Sequence, residues 1–488
     1  ILAPIALNLL GFFKKSINSL TSSFSSVNPA TSLNVVLVPS SNSFALDLPK
    51  SIDLLFPPIC LVNSQKTPPI SIINGTISNI IASHSDASGS FSMFSLKLLF
   101  SEASVIFDKN SSDYKIFCDE NSFWIDDFAL YMAIKEKNNG KAWNEWDSDI
   151  KLRKKSALNS LKTELNDKIE FQKTVQYFFF VQWNKLKAYA NSNGIKIIGD
   201  IPIYVASDSA DVWANPKQFL LDEDCNPIEV AGCPPDAFTD DGQLWGNPLY
   251  DWDYMKKDGY SWWKKRIKHQ CNMCDVIRID HFRGFESYYC IPADSKTAKI
   301  GEWRKGPGIE FFREIERDLG KKNIIAEDLG FLTPAVKKML KQSKYPGMKV
   351  LQFAFDTDEE NDYLLHNFTK NSIAYAGTHD NDTIIGFMTE TAPRKTRKRA
   401  KEYLRLTRRE GYNWGFVKAV WSSNSDTAIV TMQDLLGLGN EARMNFPSTT
   451  KNNWQWRAKS DYITDELAEK VRYYTALYQR LPSKKRGK

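Results

Sequence analysis

The stretch VIRIDHFRG (residues 276–284) starts as an apolar strand and ends in charged and polar side chains. Because side chains alternate between the two faces of a strand, Arg278 and Asp280 share one face. Burying both charges is costly unless they pair, so the pattern predicts that Arg278 holds Asp280 ionised. At the carboxyl end of a parallel strand, Asp280 would face a cleft as a nucleophile or a base. The alternative interpretation is a structural ion pair at a strand end.

Short β-branched runs recur after residue 194 and are separated by helical segments, which is typical of βα units around a parallel sheet. We predict strands in six runs: 195–200, 276–280, 323–328, 348–355, 372–380 and 427–434. Five of these runs end in acids: Asp200, Asp280, Glu327 or Asp328, Asp380 and Asp434. Carboxylates at successive strand ends are typical of the catalytic face of a (β/α)8 barrel. A doubly wound open sheet is the alternative, but the sequence has no GxGxxG motif and no P-loop. We therefore predict an α/β fold, a (β/α)8 TIM barrel with helical and loop insertions.

The composition is that of a globular protein, with 488 residues, 42% hydrophobic and 25% charged, and a net charge of +6. The basic excess lies mainly in residues 394–409 and 484–488. We interpret these as a solvated helix face and a tail, and we expect no nucleic-acid partner. An aromatic content of 13%, with 14 Trp, indicates carbohydrate or nucleotide ligands, because aromatic faces stack on sugars and bases alike.

Cysteine usage and hydropathy indicate the compartment. Seven irregularly spaced cysteines argue against a disulfide framework, so we expect a reducing, cytoplasmic location. The sequence contains no transmembrane run, so we expect no membrane association. The apolar opening, residues 1–13, lacks the basic start and cleavage site of a signal peptide. Cys271 and Cys274, with His269 nearby, find no second ligand pair in the sequence to complete a zinc site. We interpret them as thiols and expect no metal.

Residues 1–100 differ from the rest because they contain no Trp, Tyr, Arg or Glu. They are either a poorly ordered natural extension or sequence translated outside the gene's reading frame, and the abrupt change in composition favours the second. After them we expect a helical insertion subdomain over 101–193, a catalytic barrel over 194–482 and a basic tail over 483–488.

Signals for helices and loops fill in these regions. A helix is predicted within 117–146, ending at 138–140, and a second helical stretch over 156–193 ends at the C-cap Gly194. The segment 232–252 is polar and rich in Pro and Gly and contains a Trp, which predicts a shaped lid. The alternative is a merely structural long loop.

Three strand-end carboxylates have surroundings that suit different tasks. The arginine on its own face favours the ionised form of Asp280, as a nucleophile needs. Glu327 follows an apolar strand, where its pKa would be raised, as a proton donor needs. Asp380 lies between His379 and Asn381, which add hydrogen-bond donors for a hydroxyl-rich ligand. Together the three fit retaining glycosyl transfer, although each acid taken singly could instead be a helix N-cap or an ion-pair partner.

Seven motifs in this order resemble the amylomaltases, the 4-α-glucanotransferases of the α-amylase-related barrel clan. The motifs are IIGDIPIYV (197–205), GCPPDAFTDDGQLWGNPLYDW (232–252), RIDHFRG (278–284), AEDLG (326–330), PGMKVLQFAF (346–355), GTHDND (377–382) and LGLGNEARMNFPSTTKNNWQWR (436–457). The match covers roughly residues 113–482.

The resemblance implies an enzyme that cleaves an α-1,4-glucan, holds the fragment covalently and passes it to the 4-hydroxyl of another sugar. It implies Asp280 as nucleophile, Glu327 as acid/base and Asp380 as transition-state stabiliser. The candidate substrate-binding residues are Arg278, His379, Asp200, Asp236, Gln243, Trp245, Asn247, His281 and Asn381, with Gln243 and Trp245 in the lid over the acceptor side. The expected partners are α-1,4-glucans, maltooligosaccharides and glucose. We expect no cofactor, and we expect the protein to be a monomer or a weak homo-oligomer.

One part of the family pattern is not recognisable in residues 1–100: the first two barrel strands and a Tyr-bearing, glucan-binding loop. The hypothesis that follows is a gene whose 5′ end was lost or misread. Three other functions therefore stay open: an α-glucan hydrolase, an inactive truncated glucan-binding homologue, and a metal-dependent barrel hydrolase, which the five histidines in all disfavour.

Overall fold

The computed structural model describes residues 108–235, 240–330, 332–357, 361–447, 449 and 451–481. The atypical segment 1–100 and the tail 483–488 lie outside the described residues. The described chain combines helices with parallel and antiparallel strands and is of the α/β class, as predicted. Its described residues form two compact units, a helical unit of 108–188 and 208–216 and a larger unit of 189–207 and 217–481.

The helical unit packs aromatic side chains between its helices. These are α1 (Ser112–Glu120), α2 (Ser122–Lys137), α3 (Ser148–Lys151), α4 (Lys155–Glu164), α5 (Asn166–Ser192) and α6 (Ala210–Ala214). The chain leaves α2 at Gly140, whose φ is 80° and whose N–H donates to the Lys135 carbonyl at 2.8 Å; this is the predicted stop. In the core, the Trp146 ring lies 5.3 Å from Tyr131 and 5.7 Å from Trp213, measured between centroids.

The larger unit contains the strands and the remaining helices. Its strands are β1 (Ile198–Ile201), β2 (Glu229–Cys233), β3 (Gln243–Pro248), β4 (Val276–Ile279), β5 (Ser287–Pro292), β6 (Glu302–Lys305), β7 (Ile324–Ala326), β8 (Gly347–Val350), β9 (Ser372–Tyr375) and β10 (Thr427–Ile429). Its helices are α7 (Trp252–Lys257), α8 (Ser261–Met273), α9 (Ile309–Leu319), α10 (Pro334–Ser343), α11 (Ile384–Gly386), α12 (Arg394–Leu404), α13 (Tyr412–Ser422), α14 (Met432–Leu436) and α15 (Asp465–Leu477). Among the described residues, none of the helices combines the length and the apolar character that a membrane crossing needs.

A strand lies at each of the six positions predicted for parallel strands, so their existence is confirmed. Three predicted runs are too long. Strand β8 ends at Val350, where a 3-10 helix over Leu351–Phe355 begins, β9 ends at Tyr375, and β10 ends at Ile429 before α14. Strands β1, β4 and β7 pair in parallel in that order, and β8, β9 and β10 do the same. The Ala326 N–H donates to the Pro346 carbonyl at 2.9 Å, which brings the end of β7 beside the start of β8. Successive parallel strands therefore follow one another in space in their order along the chain.

Most of these strands contribute side chains from one face to a shared apolar cluster. Its buried members are Ile325, Met348, Val350, Ile373 and Tyr375, with Val276 and Ile429 packed against them. Arg278 follows Val276 by two residues and therefore lies on the same face, where its Nε contacts the Met348 sulfur at 3.3 Å. The apolar cluster thus gives way to charged groups toward the carboxyl ends of the strands.

The prediction of a loop over 232–252 is wrong in part, because this segment contains strand β3 and the end of β2. They belong to an antiparallel sheet in the order β3-β2-β5-β6. Gly232 is needed for this pairing, since a Cβ there would lie 2.2 Å from the Gln243 carbonyl oxygen and 2.5 Å from Ile291 Cδ1. A glycine in the sequence indicates a turn, whereas here it allows close approach of two strands.

Candidate active site

Arg278 holds two carboxylates at the carboxyl ends of β1 and β4. The parallel register places Asp200 opposite Arg278. Arg278 Nη1 donates to both oxygens of Asp200, at 2.8 and 2.7 Å, and lies 2.9 Å from Asp280 Oδ1. The guanidinium side chain is 9% exposed, whereas Asp200 and Asp280 keep 42% and 41% of their side-chain surface in solvent. The predicted pairing of Arg278 with Asp280 is present, and Asp280 remains accessible to a ligand.

Glu327 follows β7 and is fixed beside Asp280 by the backbone. The Glu327 N–H donates to the Ile279 carbonyl at 3.0 Å, and the His281 N–H donates to Glu327 Oε2 at 2.7 Å. A second N–H, from Leu329, donates to Oε1 at 3.0 Å. Both neighbours of Asp280 in the chain therefore bind Glu327, which sets the two carboxyl groups side by side.

Burial raises the pKa of Glu327 well above its usual range, and the nearby charge of Asp280 adds to the effect. Arg278 and the N–H of His281 oppose this shift but do not cancel it. The direction agrees with the sequence-based prediction. At neutral pH Glu327 can therefore hold the proton that a general acid must deliver.

This raised pKa predicts how stability depends on pH. Between the unfolded and the raised folded pKa of Glu327, the folded state binds more protons, so stability is lost as pH rises through that window. Glu327→Gln removes the titration. Its free energy of unfolding should therefore rise relative to wild type from about pH 4.5 upward, by at most about 1.4 kcal/mol per pH unit.

Urea unfolding of the two proteins at a series of pH values measures this difference. Glu402→Gln, a change of an exposed carboxylate on α12, is the control and should show a flat difference. A flat difference for Glu327→Gln as well would contradict the raised pKa.

Asp380 follows β9 and is oriented by His379 and Asn445. His379 Nε2 lies 3.3 Å from Asp380 Oδ2, and the Asn445 side-chain amide donates to Oδ1 at 2.7 Å. Burial alone would raise the pKa of Asp380, but the hydrogen bond and charge of His379 outweigh it and lower the pKa. The pKa of His379 is raised, because Asp380 outweighs the opposing effect of burial. Asp380 is thus held as a carboxylate.

A segment that sequence reasoning missed binds this loop. The Arg443 Nη2 donates to the Asp380 carbonyl at 2.6 Å, and its Nη1 pairs with Asp382. The Asn445 N–H donates to the His379 carbonyl at 3.2 Å. These residues lie within the motif over 436–457, but nothing in its spacing indicates contact with Asp380.

His281 and Trp245 form an aromatic contact next to Glu327. Their ring centroids are 4.8 Å apart at an interplanar angle of 88°, and Trp245 Nε1 donates to Gln243 Oε1 at 3.1 Å. Burial lowers the pKa of His281 to about 4, so its imidazole is neutral at pH 7. Its Nε2 is buried without a hydrogen-bond partner among the described residues. A buried polar atom of this kind is a candidate ligand contact.

The remaining predicted residues differ in their surroundings. The Asn247 side-chain amide donates to the Val205 carbonyl at 2.8 Å, and Asn381 Oδ1 accepts from the Thr378 N–H at 2.8 Å. Both side chains therefore shape loops at the site. Asp236 lies outside the described residues.

Two other acids predicted at strand ends serve the backbone instead of the site, and one of them, Asp434, lies in the first turn of α14 and not at a strand end. Asp328 Oδ1 accepts from the Met348 N–H at 2.6 Å, and Asp434 Oδ1 accepts from the Ile384 N–H at 2.7 Å. Burial raises the pKa of each to about 6. Gly347 leaves the space that Asp328 occupies, since a Cβ there would lie 2.6 Å from Oδ2.

A cavity of about 270 Å³ adjoins Arg278 and Asp200 within the larger unit. It is lined by Ile198, Gly199, Asp200, Arg278, Met348, Tyr375, Gly377, Thr378, His379, Ile429, Val430 and Thr431.

Chemically, the site combines three carboxyl groups in different states. Asp280 is a carboxylate paired with arginine, Glu327 is a protonated carboxyl, and Asp380 is a carboxylate that His379 orients. Such a set can supply a nucleophile, a proton and charge stabilisation to one reacting centre.

Comparison with known proteins identifies the family. The family model described as 4-alpha-glucanotransferase (glycoside hydrolase family 77) matches residues 87–463. A 4-alpha-glucanotransferase from Clostridium butyricum is 50% identical over 373 residues, covering 76% of this chain and 77% of the relative. One from Streptococcus pneumoniae is 49% identical over 370 residues, covering 76% and 73%. The solved amylomaltase from Streptococcus agalactiae in complex with acarbose aligns with a TM-score of 0.77 and 40% identity over 81% of this chain and 80% of that one. This chain therefore belongs to the 4-alpha-glucanotransferase family.

Proposed function

We propose that this enzyme transfers a segment of an α-1,4-glucan to the 4-hydroxyl of another glucan or of glucose, by retaining double displacement. The observation that carries the mechanism is the contrast between neighbouring carboxyl groups. Asp280 is paired with Arg278 at 2.9 Å, whereas burial raises the pKa of Glu327. Retaining glycosyl transfer needs this combination of an ionised nucleophile and a protonated donor.

In the first step, an oxygen of Asp280 attacks the anomeric carbon as the glycosidic bond breaks. Glu327 gives its proton to the departing oxygen, which leaves as the 4-hydroxyl of the released sugar. In the second step, Glu327 takes the proton from the acceptor's 4-hydroxyl, whose oxygen displaces Asp280. Each step inverts the anomeric carbon, so the α configuration is retained. The Asp380 carboxylate stabilises the positive charge that develops on the sugar, and His379 donates hydrogen bonds to the sugar hydroxyls during both steps.

We also propose that the six parallel strands are strands 3 to 8 of a (β/α)8 barrel. Support comes from their order in space, from the acids at their carboxyl ends and from the TM-score of 0.77 with an amylomaltase. In this proposal, 194–482 is the catalytic barrel and 101–193 a helical insertion. The antiparallel sheet that contains Trp245 is the lid.

Transfer instead of hydrolysis requires that a sugar outcompete water at the glycosyl-enzyme. A well-oriented acceptor reaches effective concentrations of about 10⁵ M or more, far above that of water. Trp245 offers an aromatic face beside His281 for such an acceptor. Gln243, Asp200, Asp236, Asn247 and Asn381 remain proposed substrate-binding residues.

Incubation with maltotriose tests the proposed function. We expect glucose together with maltooligosaccharides longer than maltotriose, with almost no gain in total reducing ends, because each cleavage is matched by a transfer. Chromatography of the products and a reducing-end assay measure both quantities. A steady rise in reducing ends would favour an α-glucan hydrolase. Retention on amylose without turnover would favour an inactive glucan-binding protein.

The proposed ligands are α-1,4-glucan oligosaccharides and glucose, and the acarbose complex of the similar amylomaltase supports an α-glucan oligosaccharide as ligand. From the cysteine pattern we propose a cytoplasmic location. We also propose a monomer or a weak homo-oligomer.

A further inference from the structure

Trp454 packs against the imidazole of His379, although no role follows from its position in the sequence. The centroids of the two rings are 5.0 Å apart, with an interplanar angle of 41°. Trp454 retains 38% of its surface in solvent. It therefore covers one side of His379 without being part of an apolar core.

The backbone at this point is strained. Trp454 has a φ of 60° and Asn452 a φ of 62°. Asparagine tolerates the left-handed region, but a bulky residue such as tryptophan rarely adopts it. Residues in this conformation persist only where the surrounding structure holds them, and they cluster at functional sites.

Hydrogen bonds connect Trp454 to the segment that binds the Asp380 loop. The Trp454 N–H donates to the Met444 carbonyl at 2.6 Å. On either side of Met444, Arg443 donates to the Asp380 carbonyl and Asn445 donates to the Asp380 carboxylate. The strained residue is thus anchored to the same three-residue segment that fixes Asp380.

We propose that Trp454 is a positioning residue that keeps the His379 imidazole turned with Nε2 toward Asp380. The inference rests on the proposed function, because it is the role of Asp380 that makes the orientation of His379 matter. Without the indole, His379 can rotate away, and Asp380 loses one of its two side-chain partners. Trp454 itself acts through His379 and need not touch the reacting atoms.

Trp454→Gly and Trp454→Phe separate positioning from folding. Glycine adopts a φ of 60° without steric cost, so the melting temperature of Trp454→Gly should lie within about 3 °C of the wild-type value. Its kcat should nevertheless fall about tenfold, as expected for a misplaced catalytic group, with KM changed less than about twofold. Trp454→Phe keeps a planar ring against His379 and should retain kcat within about twofold.

The ¹⁵N NMR shifts of the imidazole report its tautomer without any need for activity. The chain has five histidines, and His379→Asn assigns the relevant signals. At a pH above the raised pKa of His379, where the imidazole is neutral, we expect one Nε2-protonated form in wild type and Trp454→Phe, and averaged tautomers in Trp454→Gly. Charged groups facing His379 are Asp380, Arg278 and Asp200, and all three are unchanged in these variants. Tyr473→Ala, which removes a 62% exposed ring on α15, is the control and should match wild type.

An unchanged kcat and a single tautomer in Trp454→Gly would overturn the proposal, as would equal losses in the Gly and Phe variants. If Trp454→Gly is unfolded under the assay conditions, the strain argument is wrong. Trp454→Leu, which keeps an apolar side chain without a ring, then replaces Trp454→Gly in the comparison with Trp454→Phe. Failure of the proposed function gives a different result. Asp280→Asn would then keep full transfer activity, while Trp454→Gly would still show averaged His379 tautomers and wild type a single one.

Discussion

Asp280→Asn is expected to lower the rate of glucan transfer by about 10⁴-fold or more. An amide is a poor nucleophile, so the covalent intermediate cannot form, and the oriented attack that it provides is lost. The fold should survive, because the Arg278 guanidinium keeps its two hydrogen bonds to Asp200. Transfer from maltotriose, measured with both proteins at equal concentration, gives the ratio directly.

The control for this change is Asp294→Asn, an equally conservative substitution of an exposed aspartate after β5. It should leave the transfer rate within about twofold of wild type, as is usual for surface changes. Retention of more than a few per cent of activity in Asp280→Asn would contradict its role as the nucleophile.

Arg278→Met is expected to reduce both stability and activity. The substitution leaves the carboxylates of Asp200 and Asp280 close together without the cation that lies 2.7 and 2.9 Å from them. Breaking a buried pair typically costs about 3–5 kcal/mol. Because both carboxylates keep about 40% exposure, we expect a smaller loss, about 2–3 kcal/mol of unfolding free energy in urea. Transfer should fall about 10²-fold or more, since the nucleophile is no longer oriented.

The double variant Arg278→Met/Asp200→Asn separates the two effects. Removing one carboxylate relieves the repulsion, so about half of the lost stability should return. Activity should stay low, because Asp280 still has no arginine beside it. Recovery of activity together with stability would show that Arg278 acts only through folding.

Residues whose surroundings are local in the chain were predictable from the sequence. Gly140 ends α2 and Gly194, with a φ of 75°, follows α5, since helix stop signals depend on a few neighbouring residues. The alternation of Val276, Arg278 and Asp280 placed the last two on one face, because strand geometry has a period of two. The acids Asp200, Asp280 and Glu327 at the strand ends followed from β-branched runs that end in polar residues, whereas Asp434 lies in helix α14.

Contacts between distant segments were not predictable in this way. Strand β2 pairs with β5, which is more than fifty residues further along, and its Gly232 indicated a turn instead of close strand approach. Besides its neighbour His379, Asp380 binds Arg443 and Asn445, which lie more than sixty residues beyond it. No periodicity relates segments so far apart, and only tertiary packing brings them together.

The central claim is that a glucosyl group is carried on Asp280, and trapping that species tests it most directly. Glu327→Gln should be given α-glucosyl fluoride, whose fluoride leaves without a proton, so the first step needs no acid. Without its base the variant cannot activate an acceptor, and the glucosyl-enzyme accumulates. Mass spectrometry of a protease digest should find one glucosyl residue on the peptide that contains Asp280. Label on another carboxylate, or release of fluoride with no labelled peptide, would contradict the mechanism.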